Sequence, residues 1–121
     1  LFPSAGEHGV GLILASPLGM GLLTGDEAVF ERSAAYYDNR EYPERELNPA
    51  VRARAMWDWC LERDLNIRHL AIQFCLAAPA SSIVLPGAST TRQVDEAYEA
   101  ATADVPEAIW EEFEAEFGVR A

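Results

Sequence analysis

Two short apolar runs, each stopped by a proline, constrain this chain more than any other feature in it. Val10-Gly11-Leu12-Ile13-Leu14-Ala15-Ser16 runs into Pro17, and Ser82-Ile83-Val84-Leu85 runs into Pro86-Gly87. A short apolar run with almost no polar alternation is the pattern of a strand buried on both faces, and such strands belong to parallel sheets.

Helical signals fill most of the remainder. Asn48-Pro49 supplies an N-cap followed by proline at the first helical position, and Val51, Ala55, Met56, Trp59 and Cys60 recur at helical spacing to about Arg63. A second helix is expected from Asn66 as N-cap, with Leu65 and Leu70 placed as a hydrophobic staple and Ile67, Leu70, Ala71, Phe74 and Cys75 as its stripe; Pro79 marks its end. After the second strand, Thr90 and Gln93 match a capping box for a helix that turns Val94, Ala97, Tyr98 and Ala101 inward. Pro106 opens a last helix with Ile109, Trp110, Phe113 and Phe117 on one face and a solvated face of glutamates. From Pro17 to Asn48 the chain is glycine-rich and then polar and aromatic, which reads as a long connection without regular structure.

The order is strand, connection, two helices, strand, helix, helix: an α/β chain of consecutive β/α units with a helix-covered parallel sheet. Two strands leave both edges open and cannot enclose a barrel core, so the architecture is expected to be incomplete by itself. The chain opens on Leu1-Phe2-Pro3 without an initiator Met, and an upstream part is expected. No repeat, low-complexity tract or linker divides it, so residues 1–121 read as one piece of a single domain.

A formal charge of −11 argues against electrostatic binding to nucleic acid or to an anionic membrane surface. An anionic ligand would then need backbone N–H groups, a helix N-terminus or a well-placed Arg. No apolar run is long enough to suggest a membrane span. Cys60 and Cys75 fall in helical patterns without metal or redox spacing and read as buried thiols in a reducing cytoplasm.

Both strands end in a loop with chemical potential, and strand C-terminal ends are where α/β barrels build their sites. In the second loop Gly87 permits close approach, Ser89 and Thr90 offer hydroxyls, the following helix offers N-terminal amides, and Arg92 a guanidinium suited to phosphate. The same residues also make a capped turn that merely starts a helix. Gly19-Met20-Gly21 lacks the spacing of a dinucleotide fingerprint, and a Walker A motif is absent.

The string Ala15-Ser16-Pro17-Leu18-Gly19-Met20-Gly21-Leu22-Leu23-Thr24-Gly25 resembles the seventh-strand segment of the aldo-keto reductases. Ile83 to Ser89 followed by Gln93-Val94-Asp95-Glu96 is similar to their eighth strand and its turn, and Ala71 to Ala77 to the helix before that strand. The three stand in order and span about Val10 to Phe117. The resemblance implies the C-terminal part of a (β/α)8 TIM barrel, its last two strands with their helices. It also implies NADP or NAD as cofactor and a small carbonyl or sugar substrate in the full-length protein.

Carried over by position, Ser16, Leu18, Gly19 and Met20 become candidates for the pyrophosphate, and Gly87, Ala88, Ser89, Gln93 and Glu96 for the adenosine end. Two departures stand out: Ala15 replaces the aromatic residue that stacks on the nicotinamide in many members, and Ala97 a frequent Asn. The Ala-Ser-Pro-Leu form and Trp57-Asp58-Trp59 are most similar to the sugar 1-dehydrogenase branch. The family's catalytic Asp, Tyr, Lys and His come from earlier strands, and nothing here matches them, so the isolated chain is expected to be inert. His8, in a polar glycine-rich turn, and His69 read as surface or structural. Tyr36, Tyr37 and Tyr42 lie in the long connection, and Tyr98 in the core. A freestanding, mostly helical interaction module that keeps these motifs as packing is the other reading; a barrel enzyme gripping a phosphorylated substrate is a third.

Overall fold

The structure, a computed structural model, describes residues 1–80 and 82–119. In chain order they form α1 (Phe2–Glu7), β1 (Leu12–Ala15), a 3₁₀ turn at Gly19–Gly21, α2 (Glu27–Asp38), a second 3₁₀ turn at Arg45–Leu47, α3 (Pro49–Glu62), α4 (Ile67–Leu76), β2 (Ser82–Leu85), α5 (Thr91–Thr102) and α6 (Glu107–Phe117). The chain divides into two compact units, one of residues 1–17 with 69–121 and the other of residues 18–68.

In the first unit β1 and β2 pair in parallel, Leu12 opposite Ser82 through to Ala15 opposite Leu85. The parallel pairing is as expected, but β1 is shorter than its apolar run. Ser16 takes a left-handed φ of 55° and turns the chain out of the strand, and Pro17 has no amide to give the ladder. The expected burial on both faces is corrected. Leu12, Leu14 and Val84 are half-buried, while Ile13 and Ile83 on the other face are 69% and 66% exposed and Ala15 and Leu85 are also open. The described residues hold only these two strands, so a sequence written for two covered faces has one left bare.

Around this pair α5 starts where expected, with the Thr90 hydroxyl accepting from the Gln93 amide at 3.2 Å. Its inward face is not the expected one. Ala100 is wholly buried, whereas Val94 and Ala101 are exposed and Tyr98 is 73% exposed rather than in the core. The reason lies in α4: Gln73 Nε2 donates to the Ala100 carbonyl at 3.0 Å and to the Ala103 carbonyl at 2.6 Å, so the small-residue side of α5 faces α4. Leu70 and Ile72 of α4 are buried, but Phe74 of the expected stripe is exposed. In α6, Phe113 is buried against Trp110 and Phe117, with ring centroids 6.4 and 4.8 Å away, and Gly118 at φ 66° closes the helix. A short helix not anticipated from sequence, α1, is closed by His8, whose Nδ1 lies 2.8 Å from the Ser4 carbonyl.

In the second unit the expected irregular connection contains a three-turn helix. Asp26 caps α2 by accepting from the Val29 amide at 3.0 Å, and Phe30 and Ala34 supply its buried side. Tyr36 and Tyr37 therefore stand on a helix, not in a loop. The α3 helix begins as expected, Asn48 Oδ1 accepting from the Ala50 amide at 2.9 Å. Its buried residues are Ala50, Ala53, Trp57, Trp59 and Cys60, so Ala55 of the expected stripe lies outside and Trp57 inside. Trp57 meets Phe30 of α2 at 5.6 Å between ring centroids. Asn66 caps α4 as expected, accepting from the Arg68 amide at 3.0 Å.

Candidate functional site

Pairing Ala15 with Leu85 brings the ends of both strands out side by side, so Ser16 and Pro86 leave the sheet at the same edge. Ser16 is exposed in its left-handed conformation. Beyond Pro86, Gly87, Ala88 and Ser89 are exposed, and a Cβ added to Gly87 would meet nothing within 4 Å, so a bulky ligand can approach the backbone there. Gln93 turns its Oε1 back to accept from the Ser89 amide at 2.6 Å and the Ser89 hydroxyl at 3.1 Å. The capping box is thus shifted by one residue, its return bond falling on Ser89 and not on Thr90. The amides of Thr91 and Arg92 occupy the first turn of α5, where N–H groups have no partner within the helix. Arg92 stands 86% exposed beside them, its Nε 2.9 Å from Glu96 Oε1. Gly87, Ala88, Ser89, Gln93 and Glu96 are therefore gathered at one helix start, with Gln93 committed to Ser89 and Glu96 to Arg92. Ala97, one residue on, is half-buried.

Leu18, Gly19 and Met20 begin the second unit and form a different kind of donor set. Leu18 has φ −94° and ψ 16°, and Gly19 follows with φ 57°. That right-then-left sequence turns consecutive amides toward one concavity, the backbone nest that binds anions. Every carbonyl of the turn is already bonded. Leu18 accepts from the Gly21 and Leu23 amides, both at 3.1 Å, and Gly19 from the Leu22 amide at 3.3 Å. Met20 accepts from the Ser33 hydroxyl at 2.7 Å, and Gly21 from the Thr24 hydroxyl at 3.1 Å. Converging amides over satisfied carbonyls fit a phosphate, and the exposed donors at the start of α5 fit a second one.

Ser33 was not among the residues singled out from sequence, and Tyr37 was read only as an aromatic of the long connection, not as a partner of Met20. Their signal was the Asp26 cap followed by an i, i+4 pair on one helix face. A cavity of about 320 Å³ in the second unit, walled by Thr24, Trp57, Leu61, Asn66 and Arg68, contains none of the expected residues. An apolar one of about 210 Å³ has Gly19 in its wall beside Leu22, Leu23, Ala53 and Met56.

No group of three or more His, Cys, Asp or Glu placed to hold a metal exists among the described residues, and none of the described helices is long and apolar enough to cross a membrane. His69 lies 3.6 Å from Glu99. Cys60 is buried and Cys75 half-buried, both as free thiols. All nine basic residues are arginines.

No curated protein sequence matches the chain. The model of the Aldo/keto reductase family does, over residues 1–115, a span that takes in both strands and both loops. With nearly the whole chain matched, this protein belongs to the Aldo/keto reductase family.

Proposed function

We propose that the chain is the C-terminal, dinucleotide-holding part of a (β/α)8-barrel oxidoreductase that reduces carbonyls or oxidises aldoses and alcohols with NADP or NAD. Membership of a family of NAD(P)-dependent oxidoreductases supports the reaction class. The observation that carries the site is the turn at Leu18, Gly19 and Met20, with the right-then-left backbone of an anion-binding nest and four carbonyls already bonded. In this reading Ser16, Leu18, Gly19 and Met20 hold the pyrophosphate. Gly87, Ala88, Ser89, Gln93 and Glu96 hold the adenosine end, where Arg92 and the first amides of α5 would take a 2′-phosphate.

A nicotinamide cofactor held by these residues would supply or accept the hydride. This chain contributes binding and orientation only, since Lys is missing and its tyrosines and histidines match no catalytic motif; alone it is inert. Ala15 offers no ring to stack on a nicotinamide, so that contact comes from elsewhere in the barrel. We place the chain near the sugar 1-dehydrogenase branch on its Ala15-Ser16-Pro17-Leu18 string; Trp57 and Trp59 are buried and serve packing. We assign it to the cytoplasm, where free thiols persist.

Titration of the labelled 121-residue chain with NADPH, NADH, 2′,5′-ADP and ribose 5-phosphate, followed by amide NMR, tests this. Saturable shifts at Leu18 to Met20 and at Ser89 to Arg92 with the nucleotides are expected. No saturable response to any nucleotide would overturn the reading and favour the interaction module, to which the exposed Val94 and Tyr98 of α5 lend support. A response to ribose 5-phosphate alone would favour the phosphorylated-substrate enzyme.

A further inference from the structure

Met20 is the middle one of three consecutive left-handed residues, between Gly19 at φ 57° and Gly21 at φ 102°, and its own φ is 57°. A side-chain-bearing residue resists that conformation because its Cβ crowds the neighbouring carbonyl, so the turn needs an external hold. Two side chains of α2 provide one. Ser33 Oγ donates to the Met20 carbonyl at 2.7 Å, and the Tyr37 hydroxyl, one helical turn on, lies 3.6 Å from Met20 Sδ. Gly21 makes room for both: a Cβ there would stand 2.5 Å from Ser33 Oγ and 2.9 Å from Val29 Cγ1. The other carbonyls of the turn are bonded by donors within five residues of them, whereas Ser33 reaches Met20 from 13 positions away.

We infer that Ser33 is a positioning residue for the anion-binding amides of Leu18, Gly19 and Met20. It gives its proton to the Met20 carbonyl and so touches no phosphate itself. By fixing that carbonyl it fixes ψ of Met20, and with the Gly21 amide held by Leu18 the Met20 backbone is pinned at both ends. The concave set of donors then exists before a ligand arrives, and binding does not have to order it. Tyr37 adds a weaker hold, because a thioether is a poor acceptor. The inference rests on the reading of this turn as a phosphate holder.

The test uses the labelled full chain with inorganic pyrophosphate as the probe. In Ser33→Ala, affinity read from the Leu18, Gly19 and Met20 amides is expected to fall about tenfold, the equivalent of one well-made hydrogen bond. Ser33→Thr, which keeps the hydroxyl, restores it. Without ligand, the Met20 Cα and Cβ shifts of Ser33→Ala leave the left-handed range while those of Ser33→Thr stay in it, a signature that a mere loss of packing would not move. If the alanine variant does not fold, Ser33→Cys, close in shape but a weak donor, gives the same loss. Pyrophosphate binding unchanged in Ser33→Ala, with Met20 still left-handed, overturns the inference. Silence of these amides in the unmodified chain instead brings down the phosphate reading, and the inference with it.

Discussion

Gln93 and Ser89 are locked together: one side-chain oxygen accepts from both the backbone amide and the hydroxyl of the residue four positions earlier. The bond that ties the β2 turn to its helix thus uses a side chain that we propose for the adenosine end. Gln93→Leu leaves two donors of Ser89 without their acceptor. It should cost about 1 kcal/mol in urea denaturation, as for loss of a helix cap. It should also broaden the Ser89 amide resonance, while Gln93→Glu keeps the acceptor and much of the stability.

Arg54 is held between two rings of the second unit. Its guanidinium carbon lies 4.1 Å from the Phe30 centroid and 4.5 Å from that of Trp57, and it pairs with Glu27. Most of its value is therefore expected from stacking and the buried stem. Arg54→Ala should lose about 1–2 kcal/mol, and Arg54→Lys, without a planar group, should recover only part. Glu27→Gln should cost under about 1 kcal/mol because that carboxylate is well exposed. A loss in Glu27→Gln equal to that in Arg54→Ala would contradict this division.

Burial pushes the Cys60 thiol up from 9.0 to about 11, against a smaller opposing pull from the Arg63 guanidinium, and burial also raises Cys75. The folded thiol holds its proton more tightly than the unfolded one. Its contribution to stability is thus complete below 9.0 and is lost as pH climbs toward about 11. The slope should approach about 1.4 kcal/mol per pH unit for one thiol. Denaturation curves across that range should flatten in Cys60→Ala relative to the unmodified chain. In thiol labelling Cys75 should react first and Cys60 only as the chain opens.

Ile13 and Ile83 face each other across the ladder on the bare side of the sheet. An apolar face with open strand edges on either side should drive association of the isolated chain. Sedimentation velocity should show concentration-dependent oligomers, and Ile83→Lys should shift them toward monomer without loss of helical circular dichroism. A monomer at all concentrations in the unmodified chain would contradict this.

Much of the fold was legible because its signals are local. Asn48, Asn66 and Thr90 each cap the helix they precede, through contacts of a few residues that any window of sequence contains, and Pro106 directly precedes α6. What was missed depends on distant packing. The buried side of α2 is little more than Phe30 and Ala34, too narrow a stripe to stand out among its Tyr, Ser and Arg neighbours. Periodicity favoured the larger Val94 and Tyr98 over Ala100, yet close approach under Gln73 favours the smaller residue. Likewise both strand-end loops could be read from their own residues, whereas the hold of Ser33 and Tyr37 on Met20 spans 13 and 17 positions.

The ladder between β1 and β2 joins residues 70 positions apart, Leu12 with Ser82 and Ile13 with Ile83, while residues 18–68 form a compact unit from one continuous stretch lying between them. Closing so long a loop carries its entropic cost before any strand contact returns it, whereas the intervening helices draw on near neighbours. The order of assembly is therefore expected to run from the inside of the sequence outward, with residues 18–68 condensing early and the sheet closing last.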